Sequence, residues 1–317
     1  MKMLQFANGD SMPILGLGTW NSSPGDVYKA VKEAIRAGYR HIDCAAVYGN
    51  EAEVGEAISD SIKEGLVSRD KLWITSKLWN NSHAPGDIQP ALEKTLSDLQ
   101  LEAVDLYLIH WPVLIRRELV YHNSGKDLIA LDEIPISETW GILEDLADKG
   151  LCNHLGVSNF SIAKIKTLLE TARRVPEMNQ IELHPYLQQP HMLEFCQANN
   201  IHLTAFAPLG SANRPDRLKV ENEPVLIEDP VVNDIAGKHQ ASPAQILIAW
   251  SMHRNVAVIP KSVSPARIKE NLEAVNISLS ESELAALKAL DLHRRYVSVT
   301  FWTMEGSPYT LENLWDE

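Results

Sequence analysis

The segment HIDCAAVYGNE, residues 41–51, runs from a short apolar stretch into a carboxylate and then a phenol. Asp43 ends the predicted strand, and Tyr48 follows in the loop beyond it, just ahead of a Gly-Asn pair. Taken alone, each residue has a purely structural explanation, since Asp43 can cap a turn and Tyr48 can be a half-buried packing aromatic. A chemical role requires other reactive groups nearby, so the choice depends on the fold of the surrounding chain.

Strand patterns and helix patterns alternate on both sides of this segment. Stripes of apolar residues at spacings of three and four predict helices within 27–35, 88–99 and 162–169, and Ser161 and Ser264-Pro265 are typical helix starts. The eight short apolar or β-branched runs are at 14–19, 39–43, 71–77, 104–110, 151–157, 178–183, 201–207 and 256–259. This alternation, without a Gly/Ser linker, predicts an α/β fold, a (β/α)8 TIM barrel in which residues 1–317 form a single domain.

The two ends of the chain add to this barrel. The opening FANGDSMP, residues 6–13, predicts a β-hairpin ahead of the first barrel strand. The segment after Leu292 predicts a long C-terminal loop.

Composition and charge limit the classes of partner. The chain has 317 residues, 45% hydrophobic and 22% charged, and its formal net charge of -13 argues against broad contact with nucleic acid. Cys44, Cys152 and Cys196 lack metal-site spacing and fit free thiols in a reducing compartment, so we expect no metal site. The start lacks an apolar signal region and no run is long enough to span a membrane, so we expect a cytoplasmic monomer or weak dimer without membrane partners.

The barrel prediction changes the interpretation of Asp43. Reacting groups in such barrels lie where strands end, because side chains from several strands converge there on one mouth. Lys77 ends the third predicted strand, in ITSKLW, and His110 ends the fourth, in LYLIHWP. Separately, Lys77 can be a solvated strand end and His110 a hydrogen-bonded core histidine. Together with Asp43 they occupy matching ends of three consecutive strands, which favours a site.

At this point the chain resembles the aldo-keto reductase family, and in particular its aldose and xylose reductase-like members. The motifs that carry the resemblance are GLGTW (16–20), HIDCAAVYGNE, ITSKLW, LYLIHWP, GVSNF (156–160), NQIELHPYLQQ (179–189), FAPLGS (206–211) and IPKSVSPARIKEN (259–271). The resemblance implies a barrel that binds a nicotinamide cofactor without a Rossmann domain. No GxGxxG follows a strand in this sequence, which agrees with that implication.

The resemblance identifies Asp43, Tyr48, Lys77 and His110 as the family's catalytic tetrad. A carbonyl accepts hydride at carbon only if its oxygen is stabilised, so a proton donor must face that oxygen. Tyr48 is the expected donor, and Lys77 is expected to lower its pKa by favouring phenolate. Asp43 would hold Lys77 and keep it protonated, and neutral His110 would orient the carbonyl.

The resemblance also implies a set of cofactor contacts. Ser158, Asn159 and Gln180 match positions that bind the nicotinamide carboxamide, although the first two also fit a plain turn. Phe206 stands where the family usually has a tyrosine stacked on the nicotinamide, so stacking is retained and the hydroxyl is lost. The remaining implied cofactor residues are Gly18, Thr19, Trp20, Asp43, Pro208, Leu209, Ser211, Lys261, Ser262, Val263, Ser264, Arg267, Glu270 and Asn271.

The helix start at Ser264-Pro265 is the clearest anion signal. It offers free backbone N–H groups and the positive end of a helix dipole, with Lys261 just before it and Arg267 in its first turn. These groups suit a phosphate monoester, and the resemblance points to the 2′-phosphate of NADPH. An ordinary capped helix with a first-turn arginine is the alternative. We expect NADPH to be preferred over NADH.

The substrate pocket rests on residues at loop starts. Trp20, Trp79 and Trp111 follow predicted strands and Val47 precedes Tyr48, and with Tyr48 and His110 they resemble the family's apolar pocket wall, although the tryptophans can also be core. The long connections 112–136 and 210–229 are predicted lids, the second over the cofactor pyrophosphate. In the C-terminal segment, Val299, Phe301 and Trp302 are expected at the pocket.

Three functions stay open from the sequence. The first is an NADPH-dependent oxidoreductase that reduces aldehydes or ketones, aldoses among the candidates, to alcohols. The second is a class I aldolase, since a barrel lysine such as Lys77 can form a Schiff base. The third is a relative that binds cofactor without catalysis, which fold alone does not exclude.

Overall fold

Eight parallel strands form one sheet, in which the order of the strands follows the chain. The structure is a computed structural model, and it describes residues 2–316 apart from the side chain of Arg217. In chain order the strands are β1 (Met3–Gln5), β2 (Ser11–Pro13), β3 (Leu17–Gly18), β4 (His41–Asp43), β5 (Trp73–Leu78), β6 (Val104–Ile109), β7 (Leu114–Ile115), β8 (Leu128–Ile129), β9 (Cys152–Ser158), β10 (Met178–Glu182), β11 (His202–Phe206) and β12 (Ala257–Val258).

The helices alternate with these strands and cover the outside of the sheet. They are α1 (Asp26–Ala37), α2 (Glu51–Lys63), α3 (Pro85–Leu99), α4 (Ile136–Asp148), α5 (Ile162–Leu169), α6 (Pro190–Ala198), α7 (Pro230–His239), α8 (Pro243–His253), α9 (Pro265–Glu273), α10 (Glu281–Lys288) and α11 (Leu311–Trp315). Their buried faces follow the predicted stripes: α1 buries Val27, Val31 and Ile35. Burial of these faces against the sheet provides the main stabilisation of the helices.

The first and last strands meet and close the sheet into a barrel. Leu15 pairs with Val258 and Gly18 with Lys261, both in parallel orientation. Gly18 permits this approach, because a Cβ at that position would lie 2.7 Å from the carbonyl oxygen of Ile259. The predicted (β/α)8 barrel is thus confirmed, although its first and last strands are shorter than the runs at 14–19 and 256–259.

The predicted N-terminal hairpin is also present and covers the bottom of the barrel. β1 and β2 pair antiparallel, and Phe6 in the turn between them stacks on Trp73 with ring centroids 5.1 Å apart. Trp73 is the first residue of β5, so the hairpin lies at the end of the barrel where the strands begin. His154 lies between Glu177 and Asp10, with its ring nitrogens 2.9 and 3.0 Å from their carboxylate oxygens.

Two long segments pack together at the other end of the barrel. The long connection 112–136 carries the antiparallel pair β7-β8. The chain after Leu292 has no strand or helix until α11. Both contribute to a second buried cluster, separate from the barrel core, whose members are Trp111, Val113, Ile115, Leu128, Val299, Trp302, Tyr309 and Leu314. None of the helices within residues 2–316 has the length and apolar character needed to cross a bilayer.

Candidate active site

Strand register brings three of the predicted tetrad side chains to one rim. Asp43 is the last residue of β4, Lys77 lies near the end of β5, and His110 directly follows β6. Parallel pairing of β4 with β5 and of β5 with β6 aligns these ends. Tyr48 comes from a single 3₁₀ turn, Ala46–Tyr48, in the loop after β4, which returns the phenol over the mouth.

Lys77 is the centre of the site. Its Nζ donates to Asp43 Oδ1 at 2.5 Å, to the Cys44 carbonyl at 2.8 Å and to the Tyr48 hydroxyl at 3.4 Å. The side chains of Lys77 and Asp43 are 0% and 2% exposed. Burial lowers the pKa of Lys77, but Asp43 and Tyr48 raise it more, so the net pKa lies above its usual value. The lysine is therefore an ammonium ion at neutral pH, held by a buried carboxylate.

Tyr48 does not carry the lowered pKa that the sequence suggested. Burial raises its pKa, Lys77 lowers it, and the net shift is upward. The contribution of Lys77 has the expected sign, but desolvation of the phenolate outweighs it in this structure. Tyr48 thus keeps its proton throughout the neutral range, with a hydrogen-bonded ammonium beside its oxygen.

His110 completes the group as a neutral imidazole. Its ring centroid lies 5.8 Å from that of Tyr48 at an interplanar angle of 78°. Burial lowers the pKa of His110 well below its usual value, and Lys77 lowers it further. A neutral ring carries one N–H donor and one acceptor, which suits a hydrogen bond to an uncharged carbonyl.

A polar wall built from β9 and β10 adjoins these residues. Gln180 Nε2 donates to Asp43 Oδ2 at 2.7 Å, Ser158 Oγ donates to the Gln180 carbonyl at 2.8 Å, and Asn159 Nδ2 donates to the His110 carbonyl at 2.9 Å. Asn159 adopts a φ of 64°, a left-handed conformation that asparagine tolerates. Its Oδ1 is buried and has no hydrogen-bond partner within residues 2–316. A carboxamide N–H is a donor that would satisfy it.

The predicted residues after β11 line the same mouth. Phe206, the last residue of β11, is partly buried, and Pro208 and Leu209 follow it. Ser211 lies within residues 210–229, the segment predicted as a lid and hereafter called the lid. Two strands from β11 around the barrel, Gly18 of β3 and the adjacent Thr19 are buried, and Thr19 Oγ1 donates to the Asp43 carbonyl at 2.8 Å.

The helix start after β12 is capped by a serine and flanked by exposed cations. Ser264 caps α9 by accepting from the Arg267 backbone N–H, and Ser262 Oγ accepts from the Ser264 backbone N–H at 3.2 Å. Lys261, Val263 and Arg267 are exposed around this end of α9. Burial and Arg267 lower the pKa of Lys261, while Asp26 opposes them.

Two of the implied cofactor residues on α9 differ in placement. Asn271 is buried at 4% exposure, whereas Glu270 is partly buried and its backbone carbonyl accepts from Gln245 Nε2 at 2.8 Å. The side chain of Glu270 is therefore the more accessible of the two.

Aromatic rings surround the predicted substrate pocket. Trp79 lies edge-on to His110 with centroids 5.2 Å apart, and Trp302 lies 6.1 Å from both Trp79 and Trp111. Trp20 is exposed, and Val47 is partly buried beside Tyr48. Trp302 and Phe301, which the sequence placed at the pocket, lie among these rings, whereas Val299 is fully buried in the cluster beneath them.

The sequence interpretation missed residues that reach the site from far along the chain. Tyr121 donates to the Val47 carbonyl at 3.2 Å, and His122 Nε2 contacts the Phe301 carbonyl at 2.5 Å. Asn21 connects the segment before α9 with the lid. Its carbonyl accepts from Lys261 Nζ at 2.7 Å, and its Nδ2 donates to the Asn213 carbonyl at 3.2 Å. The length of the connection 112–136 was the one available signal for Tyr121 and His122.

Comparisons with known proteins agree with this geometry. The model of the Aldo/keto reductase family matches residues 14–292. An aldo/keto reductase of Synechocystis sp. is 52% identical over 317 residues, which cover 100% of this chain and 97% of the relative. Aldo-keto reductase family 1 member A1 of Homo sapiens is 47% identical over 94% of this chain and 91% of its own length. The solved aldose reductase of Schistosoma japonicum superposes with a TM-score of 0.88 at 37% identity, covering 98% of this chain and 100% of that one. The chain belongs to the aldo/keto reductase family.

Proposed function

We propose that this protein is an NADPH-dependent oxidoreductase that reduces aldehydes and ketones to alcohols, with Tyr48 as the proton donor. The observation that carries the proposal is the hydrogen bond, 3.4 Å long, from the Lys77 ammonium to the Tyr48 hydroxyl, with Asp43 holding that ammonium from its other side. The names of the relatives point to the same class of reaction.

Tyr48 and Lys77 supply the proton and the compensating charge. When bound, the nicotinamide cofactor supplies hydride to the carbonyl carbon. Negative charge then develops on the carbonyl oxygen, and Tyr48 transfers its phenolic proton to that oxygen. The phenolate left behind is stabilised by Lys77, which is already protonated and needs no rearrangement. Because Asp43 fixes the ammonium, its charge stays directed at the phenol oxygen.

His110 and the aromatic walls orient the substrate. A neutral His110 would donate a hydrogen bond to the carbonyl without protonating it, which fits its strongly lowered pKa. Trp79 packs against His110 and donates its Nε1–H to the Val120 carbonyl at 2.7 Å, which fixes the ring. A rigid apolar wall excludes water and strengthens each hydrogen bond inside the pocket.

The residues present fit a nicotinamide cofactor. The unpartnered Oδ1 of Asn159 would accept from a carboxamide, and the ring of Phe206 would stack on the nicotinamide. Lys261, Arg267 and the N-terminus of α9 would hold the 2′-phosphate that distinguishes NADPH from NADH.

The aldolase alternative finds no support at Lys77. A Schiff base requires a neutral amine, whereas the pKa of Lys77 is raised by Asp43 against the effect of burial. Its Nζ also donates three hydrogen bonds, of which an iminium, with its single N–H, could keep only one. We expect borohydride reduction in the presence of a carbonyl substrate to leave Lys77 unmodified.

The replacement Tyr48→Phe tests the proposed function. It removes the acid and keeps the ring, so we expect turnover to fall by about 10²–10⁴. NADPH affinity, measured by fluorescence titration, should be unchanged because no cofactor contact is assigned to the hydroxyl. NADPH consumption with aromatic aldehydes, aldoses and keto acids gives the turnover. Full activity in this variant would show that Tyr48 is not the acid, and absence of turnover in the wild type with NADPH bound would favour a non-catalytic relative.

A second experiment tests the cofactor choice. The double replacement Lys261→Ala and Arg267→Ala removes both cations near the start of α9, and we expect NADPH affinity to fall at least about tenfold with NADH affinity little changed. Lys269→Ala, which removes an exposed cation on the same helix paired with Glu33, is the matched control. An unchanged NADPH preference in the double variant would refute the assigned phosphate site.

A further inference from the structure

The tail, residues 293–316, and the lid are joined by two buried tyrosines. Tyr296 is 2% exposed, and its hydroxyl donates to the Pro224 carbonyl at 2.7 Å and accepts from the Leu226 backbone N–H at 3.2 Å. Both partners lie in the lid. Tyr186, 5% exposed, accepts at its carbonyl from the Leu292 and Arg294 backbone N–H groups.

The hydroxyl of Tyr186 reaches the far end of the lid. It donates to Asp229 Oδ2 at 2.6 Å, and Asp229 is the residue where the lid ends and α7 begins. One tyrosine therefore extends from the tail into the lid, and the other extends from the barrel to both segments.

A charged cluster fills the space around Tyr296. The Arg214 guanidinium lies 5.0 Å from the centre of the Tyr296 ring and is 2% exposed. Glu223 pairs with Arg214 through Oε1, and its Oε2 accepts from Arg294 at 3.3 Å. Arg214 and Glu223 belong to the lid and Arg294 to the tail, so one ion-pair network crosses the boundary between them. A guanidinium over an aromatic ring adds a favourable contact when it is desolvated.

The start of the tail is in turn fixed to the barrel. The carboxylate of Glu182, at the end of β10, accepts from the Tyr296 backbone N–H at 2.6 Å and from the Val297 backbone N–H at 3.0 Å. Gln180, two residues earlier on the same strand, donates to Asp43. Residues two apart on a strand face the same side. From one face of β10, Gln180 therefore contacts Asp43 of the buried ion pair, and Glu182 contacts the tail.

Downstream of Tyr296 the tail reaches the substrate pocket. Trp302 lies 6.1 Å from Trp79 and 5.0 Å from His122. At its other end, Tyr296 packs near Gly210, where a Cβ would lie 3.1 Å from the Tyr296 ring. Tyr296 thus touches the lid at its start and near its end while its own chain continues into the pocket wall.

We propose that Tyr296 is a positioning residue that couples the lid over the cofactor to the tail that walls the substrate pocket, so that loosening this one contact speeds cofactor release and weakens substrate binding together. The inference rests on the proposed function. It goes beyond that function because neither the tetrad nor the cofactor contacts require the two segments to move as a unit.

Tyr309 provides a matched control within the same tail. It is 5% exposed, and its hydroxyl donates to the Ile129 carbonyl at 2.7 Å and accepts from the Leu114 backbone N–H at 2.9 Å. The chemistry of its two hydrogen bonds equals that of Tyr296, but its partners lie in 112–136 and not in the lid. Tyr→Phe at either position removes one hydroxyl, strands two backbone groups and keeps the ring.

The experiment compares NADPH release and substrate KM in Tyr296→Phe, Tyr309→Phe and the wild type. Stopped-flow displacement of NADPH by excess NADP⁺ gives the release rate, and 4-nitrobenzaldehyde gives kcat and KM. We expect release from Tyr296→Phe to be at least about fivefold faster and its KM to rise, because stranding buried groups weakens the packing of the lid against the tail. Tyr309→Phe should raise KM and leave release within about twofold of the wild type, because the lid keeps its contacts.

Four results would overturn the coupling. One is unchanged release from Tyr296→Phe, and another is equal acceleration by Tyr309→Phe, which would indicate general loosening. If Tyr296→Phe does not fold, as judged by circular dichroism, Tyr186→Phe replaces it, and unchanged release in that variant counts against the coupling in the same way. A wild-type protein that binds no NADPH would instead overturn the proposed function and the coupling with it.

Discussion

Neutralising Asp43 should destabilise the protein in a way that depends on pH. In Asp43→Asn the shape is kept, but the carboxylate that lies 2.5 Å from Lys77 Nζ is lost. Removing one partner of a buried ion pair costs about 3–5 kcal/mol, because the remaining charge is buried without compensation. The entropy of unfolding of a 317-residue chain is about 0.67 kcal/mol per kelvin, so we expect the melting temperature to fall by about 4–8 °C at pH 7.

The pH dependence follows from what Lys77 can do in the variant. In the wild type its pKa is raised, so it is charged in both the folded and unfolded states up to its unfolded pKa and contributes no slope near neutrality. Without Asp43, burial is left to lower that pKa, and the folded variant can hold Lys77 neutral at a cost of about 4.6 kcal/mol at pH 7 and about 1.9 kcal/mol at pH 9. The unfolded variant then binds one more proton than the folded one, so its stability rises with pH.

Denaturant unfolding of both proteins at pH 7, 8 and 9 measures this difference. We expect the deficit of Asp43→Asn to shrink to about 2 kcal/mol at pH 9. Asp98→Asn, which breaks the exposed Lys94–Asp98 pair, is the control and should cost less than about 1 kcal/mol at every pH. A deficit that stays constant from pH 7 to pH 9, or one no larger than that of the control, would refute the account of Lys77 as a buried charge held by Asp43.

Three further predictions concern other parts of the structure. Burial lowers the pKa of His154 but Glu177 and Asp10 raise it more, so its stabilisation is complete below pH about 6.5 and lost as pH rises through the folded pKa. The difference in stability between the wild type and His154→Gln should therefore narrow from pH 6 to pH 8 in thermal melts. A constant difference would contradict this. Gly55→Ala in α2 places a Cβ 2.3 Å from the Asp98 carbonyl and should lower the free energy of unfolding by about 1–3 kcal/mol. Gly237→Ala in α7 places a Cβ with nothing within 4 Å and should raise it by up to about 1 kcal/mol, both measured by urea unfolding. Equal effects would show that the α2–α3 contact is not tight. Tyr121→Ala removes the contact with Val47 and should raise substrate KM about fivefold with kcat nearly unchanged in steady-state assays. An unchanged KM would show that Tyr121 does not line the substrate pocket.

The position of the tetrad was predictable because it depends on local signals. Asp43, Lys77 and His110 each end a short apolar run, and in a parallel barrel the ends of consecutive strands meet at one rim, so spacing along the chain translates into proximity. Phe206 was placed at a rim in the same way, at the end of its strand. The short strands that close the barrel were harder to predict, because the bridge between Gly18 and Lys261 joins residues that lie far apart in sequence.

The direction of the pKa shift of Tyr48 and the contacts that the tail makes with other segments could not be predicted from local sequence signals. The identity of a neighbouring charge is readable from sequence, but the depth of burial is not, and burial decides the direction for Tyr48. The contact of Tyr296 with Leu226 joins residues 70 positions apart, and that of His122 with Phe301 joins residues 179 apart. No periodicity or capping signal records such pairs.

The raised pKa of Tyr48 is compatible with its proposed role as an acid, because the transfer depends on the difference between the phenol and the substrate oxygen and not on the phenol alone. Desolvation penalises the phenolate, but it equally penalises the negative oxygen that forms on the substrate in the same dry pocket. The two penalties oppose each other when the proton moves from one oxygen to the other. What remains is the attraction of each oxygen to Lys77, whose Nζ lies 3.4 Å from the Tyr48 hydroxyl. In the proposed mechanism the ammonium favours proton donation only as charge develops on the substrate, so Tyr48 stays protonated until that moment. Asp43, which holds the ammonium in place, would then serve the proposed chemistry as well as the stability of the fold.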